Sequence, residues 1–229
     1  MQEVIVEIKD LNYQIPYGKV IIDGLSLSIS NGEFIGLLGV NGAGKTTLID
    51  LLMGIRPHSA GVLKILGEGP MDSKREHSNQ VVFLSQDISH NAKLTIQDQL
   101  NHLAWFYPNY SKEVEAKLLN LFKLDSKARI GSLSTGQRKR VQIIFGFAAK
   151  PKLLIVDEIT AVLDPEAREL FFELAHDFCL NEQGSIILAT NIEDDLRDVV
   201  SKIIFLDKSH AELHPASDIN HLFNLKSQT

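Results

Sequence analysis

A chain of 229 residues has room for one large α/β domain or a domain carrying a sub-lobe, and 44% hydrophobic with 23% charged residues suits a globular chain with a sizeable core. A net charge of −6 removes the electrostatic case for nucleic acid as a partner, and the short basic cluster Arg138, Lys139, Arg140 reads as an exposed helix face. No N-terminal apolar stretch suggests a signal peptide and no run nears the roughly 18 residues that span a bilayer, so with the lone thiol Cys179 the chain reads as soluble and cytoplasmic. Cys179 itself falls inside an apolar helical pattern and is expected to be a buried small hydrophobe. The first elements are two half-buried antiparallel strands, from the alternation of Val4, Val6, Ile8 and of Leu25, Leu27, Ile29. Between them Tyr13, Ile15 and Tyr17 share one face if that stretch is extended.

Next comes the apolar run Phe34 to Leu38, then Gly39, Val40, Asn41, Gly42, Ala43, Gly44, Lys45 and Thr46, with a helical pattern running from Thr46 through Thr47 to Met53. Strand, glycine loop with G-x-x-x-x-G-K-[ST] spacing, and helix are the context of a phosphate-binding loop. Glycines at 39, 42 and 44 admit backbone conformations closed to residues with a Cβ, so successive N–H groups can point inward. The helix adds its positive end to the same cradle. Lys45 is placed to reach terminal phosphates, and the Thr46 hydroxyl to ligate Mg²⁺.

Gly61–Ile65 and Gln80–Leu84 read as further strands. From Asp87 to about Arg129 the spacing turns helical, with Leu100, Leu103, Ala104 and then Val114, Leu118, Leu121, Phe122, broken at Pro108 and Asn109. Ser134 is a suitable first residue for the amphipathic helix 138–149, and Gly136 allows close approach of backbone to an anion. The continuous apolar run ending at Asp157 reads as a central parallel strand. Its carboxylate then emerges at the C-terminal edge, where open α/β sheets hold ligands, and can enter the shell of a Mg²⁺ ion. Glu158 turns to the other side, where a carboxylate can orient an attacking water or take its proton; a surface Asp-Glu pair in a turn is the plain alternative. A helix over 165–180, strands over 185–189 and 203–206 with a short helix between them, and a loosely held polar tail from about Ala216 complete the pattern. His210 and His214, taken as without acidic or Cys companions, read as surface residues rather than metal ligands.

Leu133-Ser134-Thr135-Gly136-Gln137 alone is only a helix cap. In order with 39–46 and 157–158 it resembles the signature sequence of ATP-binding cassette (ABC) ATPases, usually Leu-Ser-Gly-Gly-Gln. Gln86 looks like the Q-loop glutamine of that family, a ligand of Mg²⁺ or of the attacking water, and Glu158 through Asp164 like its catalytic glutamate and D-loop. The resemblance runs from Val4 to about Leu213. It implies an α/β fold with a P-loop NTPase core on a mostly parallel sheet, an N-terminal antiparallel β-subdomain and an inserted helical subdomain. The expected division is a single domain, 1–229, with residues 1–86 and 132–229 forming the nucleotide-binding core and 87–131 the helical subdomain. It implies ATP and Mg²⁺ as ligands, the latter on Thr46, Gln86 and Asp157. Two such chains would pair head to tail, homodimer or heterodimer, with Ser134 to Gln137 of one closing over the phosphates of the other. An aromatic ring that stacks on adenine is expected at Tyr17, with Tyr13 as the alternate; both can equally be ordinary strand aromatics.

Departures from the pattern are Thr135 for the first signature glycine, Ile159 for proline, Val162 for glycine and, most consequential, Asn191. The segment Thr190-Asn191 stands where the family ends its strand with Thr-His, a histidine that bonds the γ-phosphate. An amide still donates a hydrogen bond but carries no proton, so binding should survive and turnover fall. Two functions follow. One is the hydrolysing subunit of an ABC transporter, which docks a separate transmembrane permease subunit through 87–131 at the cytoplasmic face of a membrane. The aromatic run Trp105 to Tyr110 resembles drug and antibiotic efflux cassettes, so export is expected. The other is a nucleotide-gated regulatory module with little or no hydrolysis because of Asn191.

Overall fold

The computed structural model describes residues 3–40, 42–72, 78–85, 91–197, 199–207 and 210–227. Asn41 and Gln86 lie outside the described residues, as do positions 87–90, where the helical stretch was expected to begin. Strand β1 (Val4–Gln14) pairs antiparallel with β2 (Val20–Ser30), Val6 opposite Ile29, Ile8 opposite Leu27 and Leu11 opposite Leu25. The inward set changes parity between Ile8 and Leu11, where Asp10 takes a left-handed φ of 46° and the register slips. Beyond that bulge Leu11 and Tyr13 face the core. A second slip at the start leaves Val4 exposed and Ile5 buried, a correction to the simple alternation expected of Val4, Val6 and Ile8.

Strand β3 (Phe34–Gly39) is buried throughout and leads through the glycine loop into α1 (Lys45–Leu52). β4 (Ala60–Ile65) returns to the free side of β1 and closes a three-stranded antiparallel sheet in the order β2-β1-β4. β5 (Val81–Leu84) is followed by α2 (Ile96–Ala104) and α3 (Lys112–Leu121), capped by Thr95 and Ser111, with Pro108 and Asn109 in the turn between them. α4 (Thr135–Ala148), β6 (Leu153–Asp157), α5 (Pro165–Leu180), β7 (Ser185–Ala189) and β8 (Lys202–Asp207) complete the alternating pattern. A hairpin strand, β9 (His210–Pro215), runs antiparallel to β8.

The larger sheet has the order β5-β6-β7-β3-β8-β9, parallel except at its last strand. Period-two alternation splits its side chains between two cores. Leu38, Leu154, Val156, Leu188 and Phe205 face the core shared with α2 to α5. Leu37, Ile155, Ile187, Ile204 and Leu206 face α1 and the antiparallel sheet. Gly36 of β3 has no room for a side chain, since a Cβ there would lie 2.9 Å from Cδ2 of Leu196.

Three further sequence expectations need correction. The tail from Ala216 is not loosely held: α6 (Ile219–Ser227) buries Ile219, Leu222 and Phe223. The basic trio is not an exposed face, because Lys139 is buried with Nζ donating to the Ser85 carbonyl, and Arg140 donates to the Phe122 carbonyl and pairs with Asp164. His214 does have acidic companions, Glu212 of the same strand at 3.5 Å and Asp218 of the turn before α6 at 3.7 Å. Cys179 is buried as expected, and burial pushes its thiol up to about 12.

Candidate functional site

Strand order sets the site. β3 lies between β7 and β8, and β7 lies between β6 and β3. The loop leaving β3, the Thr190-Asn191 turn leaving β7 and the Asp157-Glu158 turn leaving β6 therefore open side by side at the C-terminal edge of the sheet, where a ligand crevice forms.

The loop has the backbone of an anion cradle. Gly42 and Gly44 sit at φ 78° and 108°, in the left-handed region, and a Cβ on Gly44 would lie 2.6 Å from Cγ2 of Ile21. Gly44 caps α1 without any side-chain hydrogen bond, and the positive end of that helix points along the loop. Lys45 is 8% exposed, and its Nζ donates to the Gly39 carbonyl at 2.8 Å and to Oδ1 of Asn191 at 3.3 Å. Burial draws the Lys45 ammonium below its ordinary range, opposed by the nearby charges of Glu158 and Asp157.

Asn191 also faces the other way, its Nδ2 donating to Oε1 of Glu158 at 2.6 Å. One amide thus bridges the loop lysine and the strand-end carboxylate. Glu158 itself has φ 51°, a left-handed value uncommon for a side-chain-bearing residue, and its N–H donates to the Ala189 carbonyl at 2.9 Å. That bond stitches the β6 turn to the end of β7. Thr46 is exposed and Thr47 half-buried in the first turn of α1, while Asp157 closes β6 half-buried.

The two tyrosines separate. Tyr13 is 6% exposed inside β1 with its hydroxyl accepting from Arg56, so its ring faces are covered. Tyr17 is wholly exposed at φ 57° in the turn after β1, not extended alongside Tyr13. Ser134 and Gln137 satisfy one another: the Ser134 Oγ accepts from the Gln137 amide at 3.2 Å and the Gln137 Oε1 from the Ser134 amide at 2.9 Å. Ser134 and Thr135 are exposed at the tip of α4, and Gly136 lies against the Val162 carbonyl. The hydrogen bonds of Ser134 and Gln137 thus join them to each other, whereas Lys45, Asn191 and Glu158 meet directly. Asp164 caps α5 by accepting from the Ala167 amide, a bond that with the Arg140 guanidinium holds its carboxyl below the usual carboxylate range.

Sequence reasoning missed Asp195. It lies four residues past Asn191, fully buried, with Oδ2 accepting from the Thr160 and Thr190 hydroxyls and Oδ1 from Arg168. In the sequence it is the third member of the acidic run Glu193-Asp194-Asp195, which reads as a solvated turn; no local spacing distinguishes it.

A family model described as ABC transporter matches residues 22–161. Among curated proteins, Nod factor export ATP-binding protein I of Rhizobium sp. (strain N33) is 32% identical over 194 residues, covering 82% of this chain and 64% of that protein. Its namesake from Burkholderia pseudomallei (strain 1710b) is 31% identical over 196 residues, covering 83% and 64%. The chain thus spans less than two thirds of the length of those relatives. A solved ATP binding subunit of an ABC transporter superposes with a TM-score of 0.86 at 24% identity, covering 97% of this chain and 94% of that one. A dimeric ATP-binding cassette in a post-hydrolysis state with ADP and Pi gives 0.79 at 20% identity, covering 93% and 99%. These two share the fold, a mostly parallel sheet with a small antiparallel sheet and flanking helices. With the family model matching more than half of its residues, the chain belongs to the ABC transporter family.

Proposed function

We propose that the chain binds and hydrolyses ATP to power an exporter, working as a head-to-tail pair on a separate transmembrane permease. The observation that carries the reading is the Lys45–Asn191–Glu158 line across three adjacent strand ends, beside a glycine cradle capped by no side chain. That set fits a triphosphate. Backbone amides and Lys45 offer donors where phosphate oxygens need them. It also fits Mg²⁺, with the Thr46 hydroxyl and Asp157 as hard oxygen donors and Gln86 assigned to the same ion. Mg²⁺, when bound, neutralises charge on the phosphates.

In this reading Glu158 holds the attacking water and takes its proton, and Asn191 fixes the direction of the Glu158 carboxylate through Nδ2. Lys45 exchanges its bond to Asn191 for a phosphate oxygen. Tyr17, exposed before β2, supplies the ring for adenine. Ser134 to Gln137, with the signature helix behind them, close the site of a second copy, which need not be identical. Asp164 belongs to the same dimer face.

Export is supported by the printed function of the relatives, Nod factor export. Permease docking is assigned to the helical lobe, residues 87–131 inserted between core segments 1–86 and 132–229. Where that lobe meets β5 and α4, a cavity of about 480 Å³ is lined by Phe83, Leu84, Leu103, Phe106, Tyr107 and Phe145, and Trp105 stands exposed next to Phe106. Among the described residues no helix is long and apolar enough to cross a membrane, so attachment at the cytoplasmic face through the permease completes the reading.

Calorimetric titration with MgATP tests it. Lys45→Ala should weaken binding about 10- to 150-fold, the worth of one charge-assisted contact. Glu158→Gln should keep the affinity and accumulate an ATP-bound dimer by light scattering. Unchanged affinity in the first, or a second variant that turns over normally, overturns the assignment.

A further inference from the structure

Asp195 stands in a short 3-10 turn between β7 and β8 and is 0% exposed. Its four acceptor positions are filled. Oδ2 takes Oγ1 of Thr160 at 2.6 Å and Oγ1 of Thr190 at 2.6 Å, and Oδ1 takes Nε and Nη2 of Arg168, each at 2.6 Å. A carboxylate can accept about four hydrogen bonds, so the group is saturated.

The partners are the informative part. Thr190 immediately precedes Asn191. Thr160 follows Glu158 by two residues, in the 3-10 turn that leads to Asp164. Arg168 sits in the first turn of α5, its amide donating to the carbonyl of Asp164, the cap of that helix. One buried carboxylate therefore binds the segments bearing Asn191, Glu158 and Asp164. Behind it the next residue, Leu196, is seated on the bare backbone of Gly36 in the central strand β3. The clamp is thereby referred to the strand that launches the phosphate loop.

A buried ion pair is a poor device for stability alone, since apolar side chains of similar volume usually do as well or better. It is a good device for holding loops in fixed relation, because each hydrogen bond has a direction. We propose that Asp195 is a positioning residue for the hydrolytic step, locking the Thr190-Asn191 turn, the Glu158–Thr160 turn and the start of α5 into one rigid unit. The inference rests on the ATP-hydrolysis reading above and adds a role at residues 160, 168, 190 and 195, outside the groups that touch nucleotide or water.

Asp195→Asn keeps the shape and replaces one acceptor with a donor that faces donors. In the assembly in which the wild type turns over, kcat should fall about 10- to 100-fold, the cost of roughly 1 Å of misplacement, while affinity for a non-hydrolysable ATP analogue stays within about twofold. Thr160→Val should lower kcat in the same way and Thr160→Ser should restore it. Independently of activity, amide exchange without nucleotide should speed up in Asp195→Asn across 158–164 and 190–196 together, with α2 and α3 unchanged. Should Asp195→Asn not fold, the Thr160 pair and its exchange pattern decide. Folded variants with wild-type kcat and exchange overturn the proposal, as does a parallel loss of kcat and analogue affinity. A wild-type chain with no affinity for the analogue overturns the site reading itself, and the proposal with it.

Discussion

Asp195 has a counterpart in the helical lobe. Glu115 of α3 is 3% exposed and likewise engaged by several donors, accepting from the Tyr110 hydroxyl at 2.5 Å, Lys112 at 2.8 Å and Gln97 of α2 at 2.8 Å. The two hubs have the same chemistry and different neighbourhoods. Glu115 ties α2 to α3 through residues that bear none of the proposed site groups, beside two ring pairs that Tyr107 and Tyr110 each form with Phe145. Asp195 ties loops, and each loop carries a site residue within a few positions. A buried carboxylate between helices reports on how a lobe is assembled; one between loops at a sheet edge reports on what the edge must hold still.

Loss of the helical hub should have the largest effect on folding. Glu115→Ala leaves the half-buried Tyr110 hydroxyl without this acceptor and the Gln97 amide with only Asn101, at a cost of about 1–3 kcal/mol for the unsatisfied hydroxyl. Urea unfolding should show that loss, with kcat per folded molecule unchanged. A large fall in kcat would erase the contrast between the two hubs.

Asn191→His sharpens the other side. The amide bridge between Lys45 and Glu158 is broken and a group able to carry a proton stands in its place. Turnover should rise about tenfold, equivalent to ~1.4 kcal/mol of transition-state contact. A steady-state phosphate-release assay checks it, and an unaltered or lower rate would mean that the amide is the better orienting group here.

A smaller effect is expected from acid. Burial raises the Glu115 carboxyl, but the bonds from Lys112, Tyr110 and Gln97 together outweigh it and leave the group below its ordinary 4.5. A carboxylate depressed in the folded state contributes stability that is present above 4.5 and lost as pH falls through its lowered value. The wild type should therefore lose stability below pH 4.5 more steeply than Glu115→Gln, read from unfolding midpoints across that range. Parallel curves would remove Glu115 from the acid response.

The smallest change should come from Lys112→Met. Lys112 is half exposed, so its pair with Glu115 should be worth less than about 1 kcal/mol in an unfolding curve.

Legibility in the sequence followed how locally each feature is encoded. The glycine loop, the apolar strand ending at Asp157 and the Ser134 cap each occupy consecutive residues, and the structure sets a strand, loop and helix at those positions. Asn191 is visible because it falls two residues after an apolar strand. Its double engagement of Lys45 and Glu158 is not, since that depends on β7 lying between β3 and β6. The Asp195 clamp draws on positions 160, 168 and 190, which share no period. The parity change in β1 hides at Asp10, whose left-handed backbone carries no strong composition signal in an Asp. The tail was misjudged for a different reason. Ile219, Leu222 and Phe223 have helical spacing, but they are few among polar neighbours, and only the covering of β8 and β9 makes their burial worthwhile.

The chain's one sulfhydryl, on the inner side of α5, has a practical consequence. Held in its protonated form and screened from solvent, it should ignore maleimides and spin-label reagents under native conditions. Single cysteines introduced at exposed Thr135 or Tyr17 could then be tagged in an otherwise natural background, giving a direct optical or magnetic ruler for the approach of two copies.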